Sequence, residues 1–378
     1  MQAQIIAWSD LSPEDRRSWD DLAARALEAN VFFEPAALDS ALRNLAVSGP
    51  TVVAVARRQN HWLACLPLVE LRSWRKLPLR VLVNRPVREA EPHPVGLGTP
   101  LVDRTEPDAG IDALFDLLID RRRRADASVL VLEWTSLDGP VHARAEEALS
   151  RRRRRPLVYE TWERTAVRRR PEGGYLEGGL SARHRRELNR RRRRLGEAVG
   201  GTLKLVDRSQ DPSAVDDLLR LESSGWKGRM GSARSDLPGI EAFFRELCDI
   251  CRNADRLWFP SLEVDGRPIV MSCFLRSGDT LFARKTAYDE EVSRYSPGVH
   301  LDADVLEAFH GQGASLMDSC NAVGDTWTAS TWPDRRRLGT VLVPLGGRVS
   351  ASLVSQLPAT RALSRRARAV LRRGEQAG

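Results

Sequence analysis

Lysine is scarce in this chain. Of 59 basic residues only four are lysine, Lys76, Lys204, Lys227 and Lys285, and the rest are arginine. A bias that lets arginine take the surface makes each remaining lysine worth questioning. Cysteine is sparse as well, with five residues: Cys65, Cys248, Cys251, Cys273 and Cys320. Cys248 and Cys251 are spaced like one half of a zinc site, but no second pair exists and the six histidines are scattered without an HExxH. No structural metal is expected. Buried thiols in a reducing compartment are favoured over a redox pair. No run of eighteen apolar residues occurs, and the first residues lack a basic region followed by a long apolar stretch. Neither a membrane span nor a signal peptide is expected, which points to the cytoplasm. GxSxG, P-loop, dinucleotide and kinase signatures are also missing, so hydrolase, dehydrogenase and kinase classes lose ground. The fragment Gly96-Leu-Gly98 is too short to act as a nucleotide motif.

What is present suits a two-domain globular protein. The chain has 378 residues, 42% of them hydrophobic, a formal charge of +8 and a sequence pI near 9.7. Such a balance favours an anionic partner, whether nucleotide, phosphorylated carrier, RNA or membrane surface.

Periodicity and punctuation give the element order. Ser12 caps a helix that starts at Pro13 and is expected to reach about residue 29. A second helix covers 35–46. Strands follow at 51–57 and 61–71, with Pro67 suggesting an edge or a bulge in the latter, and at 78–83. Residues 85–100 read as a loop crossing an opening. A helix at 111–122, a strand at 129–134, a helix at 141–149 and a strand at 157–167 complete the first half. Glycines near 173 and 178 mark the boundary. The second half repeats the order: a basic helix at 181–198 capped by Ser181, a strand at 201–206, helices at 214–224 and 237–252, strands at 257–264, 268–275 and 280–287, a helix at 299–311, and strands at 315–318 and 340–343. The expected fold class is mixed α/β. The repeat suggests a duplicated fold with one working copy. Residues 1–175 form the first domain, without a site of its own, and 176–348 the second. Residues 349–378 make a basic helical tail that docks on a domain or touches a membrane surface.

Four places could carry chemistry. Alternation in the strand around 282–287 puts Arg284 on one face and Lys285 on the other. A lysine on a sheet face is costly unless an anion or solvent meets it. Tyr288 and Asp289 end that strand. Arg294, Tyr295 and Ser296-Pro297-Gly298 then open a helix whose free N–H groups suit a phosphate or carboxylate. The loop from Gly225 to Ser232 offers Trp226, Lys227 and Arg229 as a wall or lid. The helix with Arg183, Arg186 and Arg190 has a broad basic face but no aromatic platform for base stacking. Asp318 ends the strand beside the presumed ligand strand, followed by Trp327, Trp332 and Arg335 to Arg337. For each feature the residues leave a plain structural role open: a capped helix, a core tryptophan, a solvated face or a turn.

Three motifs carry a resemblance. They are Ser181, Arg183, Arg185, Arg186, Leu188, Asn189, Arg190, Arg193, Arg194 and Leu195; then Leu221, Glu222, Trp226, Lys227 and Gly228; then Lys285, Tyr288, Asp289, Tyr295, Ser296, Pro297 and Gly298, with Asp318 beyond. Over about 181–337 the chain resembles the GNAT-like acyltransferases grouped with the cellulose-biosynthesis protein CelD and the BioF2-like acetyltransferase domain, relatives of the FemAB-type peptidyltransferases. The resemblance implies tandem GNAT-like domains, each a mostly antiparallel sheet flanked by helices. It implies acyl transfer from a thioester, acyl-CoA or acetyl-CoA, to an amine or hydroxyl of a small molecule, a polysaccharide or a cell-envelope precursor, as in exopolysaccharide biosynthesis. The usual acetyl-CoA glycine loop is missing, and Tyr295-Ser-Pro-Gly298 stands at the corresponding corner. On this reading Lys285 or a backbone N–H stabilises the oxyanion, Tyr288 assists, and Asp318 accepts a proton or orients. Arg294, Tyr295, Ser296 and Gly298 hold donor phosphate. Trp226, Lys227, Arg229, Arg284 and Asp289 face the acceptor. Aminoacyl-tRNA is the rival donor, less favoured because no helical insertion for tRNA is visible. A non-catalytic protein binding a polysaccharide or another anionic ligand is the other rival. The location expected is cytoplasmic, at the inner membrane face where the tail makes contact.

Overall fold

The computed structural model describes residues 1–75, 78–87, 96–120, 127–176, 181–224, 238–321, 328, 331–346, 351–352 and 354–357. Most helices described begin where a proline supplies a pre-set φ at the first helical position. Helix α1 (Pro13–Ala24) adds a capping box, in which Ser12 Oγ accepts from the Asp15 N–H and Asp15 accepts from the Ser12 N–H, each at 3.1 Å. It ends before residue 29 because strand-type pairing takes over. The Leu27 N–H donates to Val102 O at 2.7 Å, and Ala26 bridges Asp103. Proline also opens α2 (Pro35–Asn44), α3 (Pro107–Ile119) and α4 (Pro140–Arg151). In the second half lie α5 (Ala182–Val199), α6 (Ala214–Ser223), α7 (Pro238–Asn253) and α8 (Pro297–Phe309). Ser181 caps α5, and Gly200, at φ 83°, closes it in the left-handed conformation that glycine adopts without strain.

The strands are β1 (Gln2–Ala7), β2 (Thr51–Arg58), β3 (His61–Leu71), β4 (Val81–Val83), β5 (Leu101–Val102), β6 (Val129–Ser136), β7 (Leu157–Arg168), β8 (Lys204–Asp207), β9 (Leu257–Trp258), β10 (Pro260–Val264), β11 (Arg267–Ser277), β12 (Thr280–Tyr288), β13 (Leu316–Asp318) and β14 (Asp334–Pro344). All belong to one sheet. Its order is β1-β2-β3-β4-β6-β14-β7-β13-β12-β11-β10-β8, with β5 on β3 and β9 on β11. Pro67 lies in an internal strand rather than at an edge. It falls between the residues paired with β5 (Ala64, Cys65) and those paired with β4 (Val69 to Leu71), where no ladder donor is missed.

The paired strands are antiparallel except β4 with β6 and β12 with β13. These two parallel pairs occupy matching places in the two halves, so the repeated order is real at the level of elements. The halves nevertheless interlock. β14, at the end of the second half, lies between β6 and β7 of the first. It also runs over eleven residues, far longer than 340–343.

The core follows the sheet. One apolar cluster runs through both halves, joining Phe32, Leu38 and Leu132 to Leu218, Phe244, Met271 and Phe282. A second lies on the opposite face of the second half, where Leu195 of α5 and Leu301, Val305 and Phe309 of α8 cover Val270, Phe274 and Leu281. Between the halves α7 packs on α2. A Cβ on Gly239 would stand 2.4 Å from Asn44 O, so the close approach needs glycine. Glu246 of α7 accepts from Ser40 Oγ at 2.7 Å and Asn44 Nδ2 at 2.8 Å.

Candidate active site

The sheet splays at its centre. β12 and β13 pair only at Thr280–Leu316, Leu281–Met317 and Phe282–Asp318. Beyond that point β12 runs on from Ala283 to Tyr288 with no strand on that edge among the described residues.

On its other edge β12 carries a bulge. Cys273 of β11 stands opposite Lys285, but the next residue, Phe274, stands opposite Ala283, so Arg284 is the extra residue. A bulge puts two successive side chains on one face. The Arg284 guanidinium lies 5.2 Å from the Phe32 ring centre, and Phe32 meets Phe282 edge to face at 5.6 Å. Lys285, beside it, is ion-paired with Glu222 of α6. α6 belongs to the same apolar cluster as Phe32 and Phe282. Thr286 points the other way, hydrogen-bonded to Ser272 at 2.6 Å, and Tyr288 packs on the opposite core. Simple alternation, which separates Arg284 from Lys285, is therefore corrected. Both cations share a face, and Tyr288 lies on the other.

The cationic face is enclosed. Side-chain exposure is 5% at Lys285 and 2% at Glu222. Burial pushes the Arg284 guanidinium down from its usual value. Cys320, just past β13, has φ 51°. Burial raises its thiol to about 12, so it stays protonated. The first half closes the space. A Cβ on Gly96 would stand 2.8 Å from the Phe32 ring and 3.1 Å from Cys320 Sγ.

Asp318 sits at the splay point, fully buried. Arg164 of β7 meets it twice at 2.6 Å, Arg336 of β14 donates to Oδ2 at 2.7 Å, and the Cys320 N–H donates to Oδ1 at 3.0 Å. Arg336 reaches Glu28 at 3.3 Å, and Arg164 donates to Gly96 O at 2.5 Å. Burial would raise the Asp318 carboxyl, yet Arg164 and Arg336 outweigh it and hold it below the ordinary value. Asp318 is thus a held anion.

The corner after β12 is built by local capping. Asp289 accepts from the Glu291 N–H at 3.1 Å and caps a 3-10 turn (Glu290–Tyr295). Arg294 stacks on Tyr295 at 4.8 Å. Ser296 has φ 56° and caps α8 without a side-chain hydrogen bond, leaving the first-turn N–H groups without that cap. His300, buried in the first turns of α8, donates from Nε2 to Tyr295 O at 3.1 Å. Burial, then nearby Arg192, pushes it down to about 4, so it is neutral at pH 7.

α5 lies against this corner. Arg192 clamps Asp304 of α8 with two contacts of 2.8 Å, and Leu195 is buried. Arg183, Arg186, Arg190, Arg193 and Arg194 recur along the exposed side opposite Leu195. Trp226, Lys227 and Arg229 lie outside the described residues, as do Trp327 and the tail from 358 onward. The structure thus brings together Arg284, Lys285 and Asp318 on one side, and Asp289, Arg294, Tyr295, Ser296 and Gly298 at the corner. It adds Glu222, Arg164, Arg336, Glu28 and Phe32. Glu222 had a sequence signal: it stands seven residues after Val215, on the apolar face of its helix. Arg336 lies in the Arg335 to Arg337 run named with Asp318 from the sequence, whereas Arg164 had no signal, being one among many arginines. Among the described residues no cluster of His, Cys, Asp and Glu could hold a metal ion, and no helix is long and apolar enough to cross a membrane.

Residues 182–325 match the model of a family described as acetyltransferase (GNAT) domain. No curated protein matches the chain. Among solved structures, FemX is similar at a TM-score of 0.56 with 9% identity, covering 90% of this chain and 97% of that one. A conserved protein of unknown function from Bacteroides thetaiotaomicron gives 0.54 with 13% identity, over 89% and 98%. The C-terminal domain (DUF2156) of a putative lysylphosphatidylglycerol synthetase from Agrobacterium fabrum gives 0.50 with 14% identity, over 90% and 94%. At such identities these structures show a shared fold. The domain match is confined to residues 182–325, and the shared fold extends over about nine-tenths of the chain.

Proposed function

We propose that the chain transfers an acyl group from acyl-CoA to an amine or hydroxyl on a small-molecule, polysaccharide or cell-envelope precursor. The observation that carries this reading is the splay between β12 and β13, with two cations turned to one face by the bulge. A thioester carbonyl laid along β12 past its last pair with β13 would meet backbone N–H groups there and the Lys285 ammonium nearby. The acceptor attacks directly, so no covalent enzyme intermediate is required. Donor phosphates sit at Ser296 to Gly298, where α8 begins without a side-chain cap, with Arg294 alongside. Asp318 is better assigned as an anchor than as a proton acceptor, since two arginines already hold its charge. Tyr288, across the sheet from Lys285, is assigned to the donor side. Arg284 and Asp289, with Trp226, Lys227 and Arg229, remain the proposed acceptor contacts.

On this reading residues 1–175 are a first GNAT-like unit without its own site and 176–348 the working one, though β14 is shared. The likeness to CelD and BioF2-like acetyltransferases favours a polysaccharide or envelope acceptor, met at the inner membrane face with the 349–378 tail as the contact. A second reading has one observation in its favour. The exposed arginine stripe on α5 would suit aminoacyl-tRNA, the donor implied by resemblance to FemAB-type enzymes. Native mass spectrometry against acetyl-CoA, aminoacyl-tRNA and phosphorylated sugar precursors separates the two. A stable acetyl-CoA complex that loses turnover in Lys285→Ala supports the first reading. Binding of aminoacyl-tRNA alone replaces it with the second, and binding of none refutes both.

A further inference from the structure

We propose that Glu222 is the positioning residue of this site: it keeps Lys285 charged and aimed at the splay. The inference rests on the reading of Lys285 as the group that receives the carbonyl oxygen's developing charge. α6 is an apolar-faced helix whose Val215, Leu218, Leu219 and Leu221 are buried. Glu222 follows Val215 by seven residues and so lies on the buried side, where leucine would serve a purely packing role. A carboxylate in that place is costly unless a cation meets it. The cation is Lys285, delivered to the α6 face by the Arg284 bulge.

The dependence runs both ways. Buried without a counter-charge, an amine prefers its neutral form, and Arg284 beside it disfavours a second positive charge. A neutral amine is a poor donor to an oxyanion. Glu222 corrects both conditions, and its grip on Nζ fixes the side chain in one direction. In the reaction the acceptor nitrogen forms a bond to the thioester carbon, and the carbonyl electron pair moves to oxygen, beside the Lys285 ammonium. Return of that pair breaks the C–S bond. The thiolate leaves and takes up the proton shed by the nitrogen through solvent. Lys285 keeps its proton and Glu222 its charge throughout.

The test uses the full chain with acetyl-CoA as donor, read as thiol release with a panel of primary amines. It also uses reductive methylation of lysines, read by mass spectrometry. Lys76, Lys204, Lys227 and Lys285 are the only lysines, so a labelled lysine peptide is readily told apart from the labelled α-amine. Lys285→Met should lower kcat by about 100- to 1000-fold, as loss of one oxyanion donor does. Glu222→Gln should lower kcat by about 10- to 100-fold, with KM for acetyl-CoA moving by less than about three-fold. Glu222→Asp should recover part of the loss. Lys285 should methylate faster in Glu222→Gln than in the parent, relative to Lys204. Because a lone buried charge can unfold the chain, Glu222→Leu with Lys285→Met supplies a neutral pair. It should fold and be no slower than Lys285→Met alone, since Glu222 acts only through Lys285.

A dead Lys285→Met beside a Glu222→Gln with parental kcat and parental labelling overturns the inference and leaves the parent reading intact. A Lys285→Met with parental turnover sinks the parent reading itself. Without thiol release from acetyl-CoA the labelling decides: faster Lys285 methylation in Glu222→Gln upholds the charge assignment, and an unchanged rate overturns it. A Lys285 that no reagent reaches in either protein overturns it too, since such a group meets no substrate.

Discussion

Replacing Asp318 with asparagine should cost this protein more than any exposed carboxylate does, and the structure says why. Asp318 is the common acceptor of Arg164 and Arg336, all three buried, and it lies where β13 and β12 part. Arg164 comes from β7 and Arg336 from β14, so the carboxylate ties three strands. Asparagine keeps the shape and can still accept from the Cys320 N–H. It removes the negative charge from between two buried guanidiniums, which keep Glu28 and Gly96 O as partners among the described residues. Removing one member of a buried ion network costs about 3–5 kcal/mol. Asp112, which pairs with Arg151 and Arg152 at the surface, is the control, and Asp112→Asn should cost about 0–1 kcal/mol. Urea unfolding at pH 7 reads both values. The pH dependence has a defined sign. A carboxylate held below its ordinary value stabilises fully above the unfolded value of about 3.9 and loses that contribution as pH falls through the folded one. The gap between parent and Asp318→Asn should therefore be constant above about pH 5 and close in acid. Equal costs at Asp318 and Asp112, or a gap that widens below pH 4, would refute the assignment of Asp318 as a charged anchor.

Other consequences are simpler to state. His300, pushed down to about 4 by burial, should cost stability as pH drops from about 6.5 through 4, because the unfolded chain takes the proton first. His300→Phe should flatten that part of the profile by up to about 3 kcal/mol in thermal or urea unfolding, and an unchanged slope removes His300 from the account. Phe32→Ala should lose about 3–5 kcal/mol by cavity formation. It should also weaken acyl-donor turnover, since the ring covers Arg284 from the first half of the chain; parental kcat would show that the first half does not shape the site. Ser296→Gly should relieve a left-handed residue at the α8 start and stabilise by up to about 1 kcal/mol in thermal melts, with a lower melting point as the contrary result. Arg183→Glu with Arg186→Glu should leave the melting temperature unchanged while reducing the salt dependence of RNA binding, if the aminoacyl-tRNA reading holds.

Much of the element order was legible because it rests on local chemistry. Ser12 with Pro13, and Ser181, announce helix starts that the structure keeps. The corner after β12 was legible for the same reason, since Asp289, Ser296 and Pro297 act within a few residues of one another. The facing of Arg284 and Lys285 was not. Alternation assumes one residue opposite one residue, and the bulge is fixed by how β11 pairs with β12 across the sheet. The partners of Asp318 were illegible too. Arg164 lies 154 positions before it, in a chain where arginine carries almost no information.

By itself, then, the sequence determined the repeated order of helices and strands, the scarcity that singles out Lys285, and the capped corner beyond it. All are properties of composition or of neighbours along the chain. Only the tertiary structure decided that β14 crosses into the first half, that Phe32 lies over Arg284, and that Lys285 pairs with Glu222. Those depend on contacts between residues far apart in sequence, where the cost of burying a charge favours its meeting an opposite one.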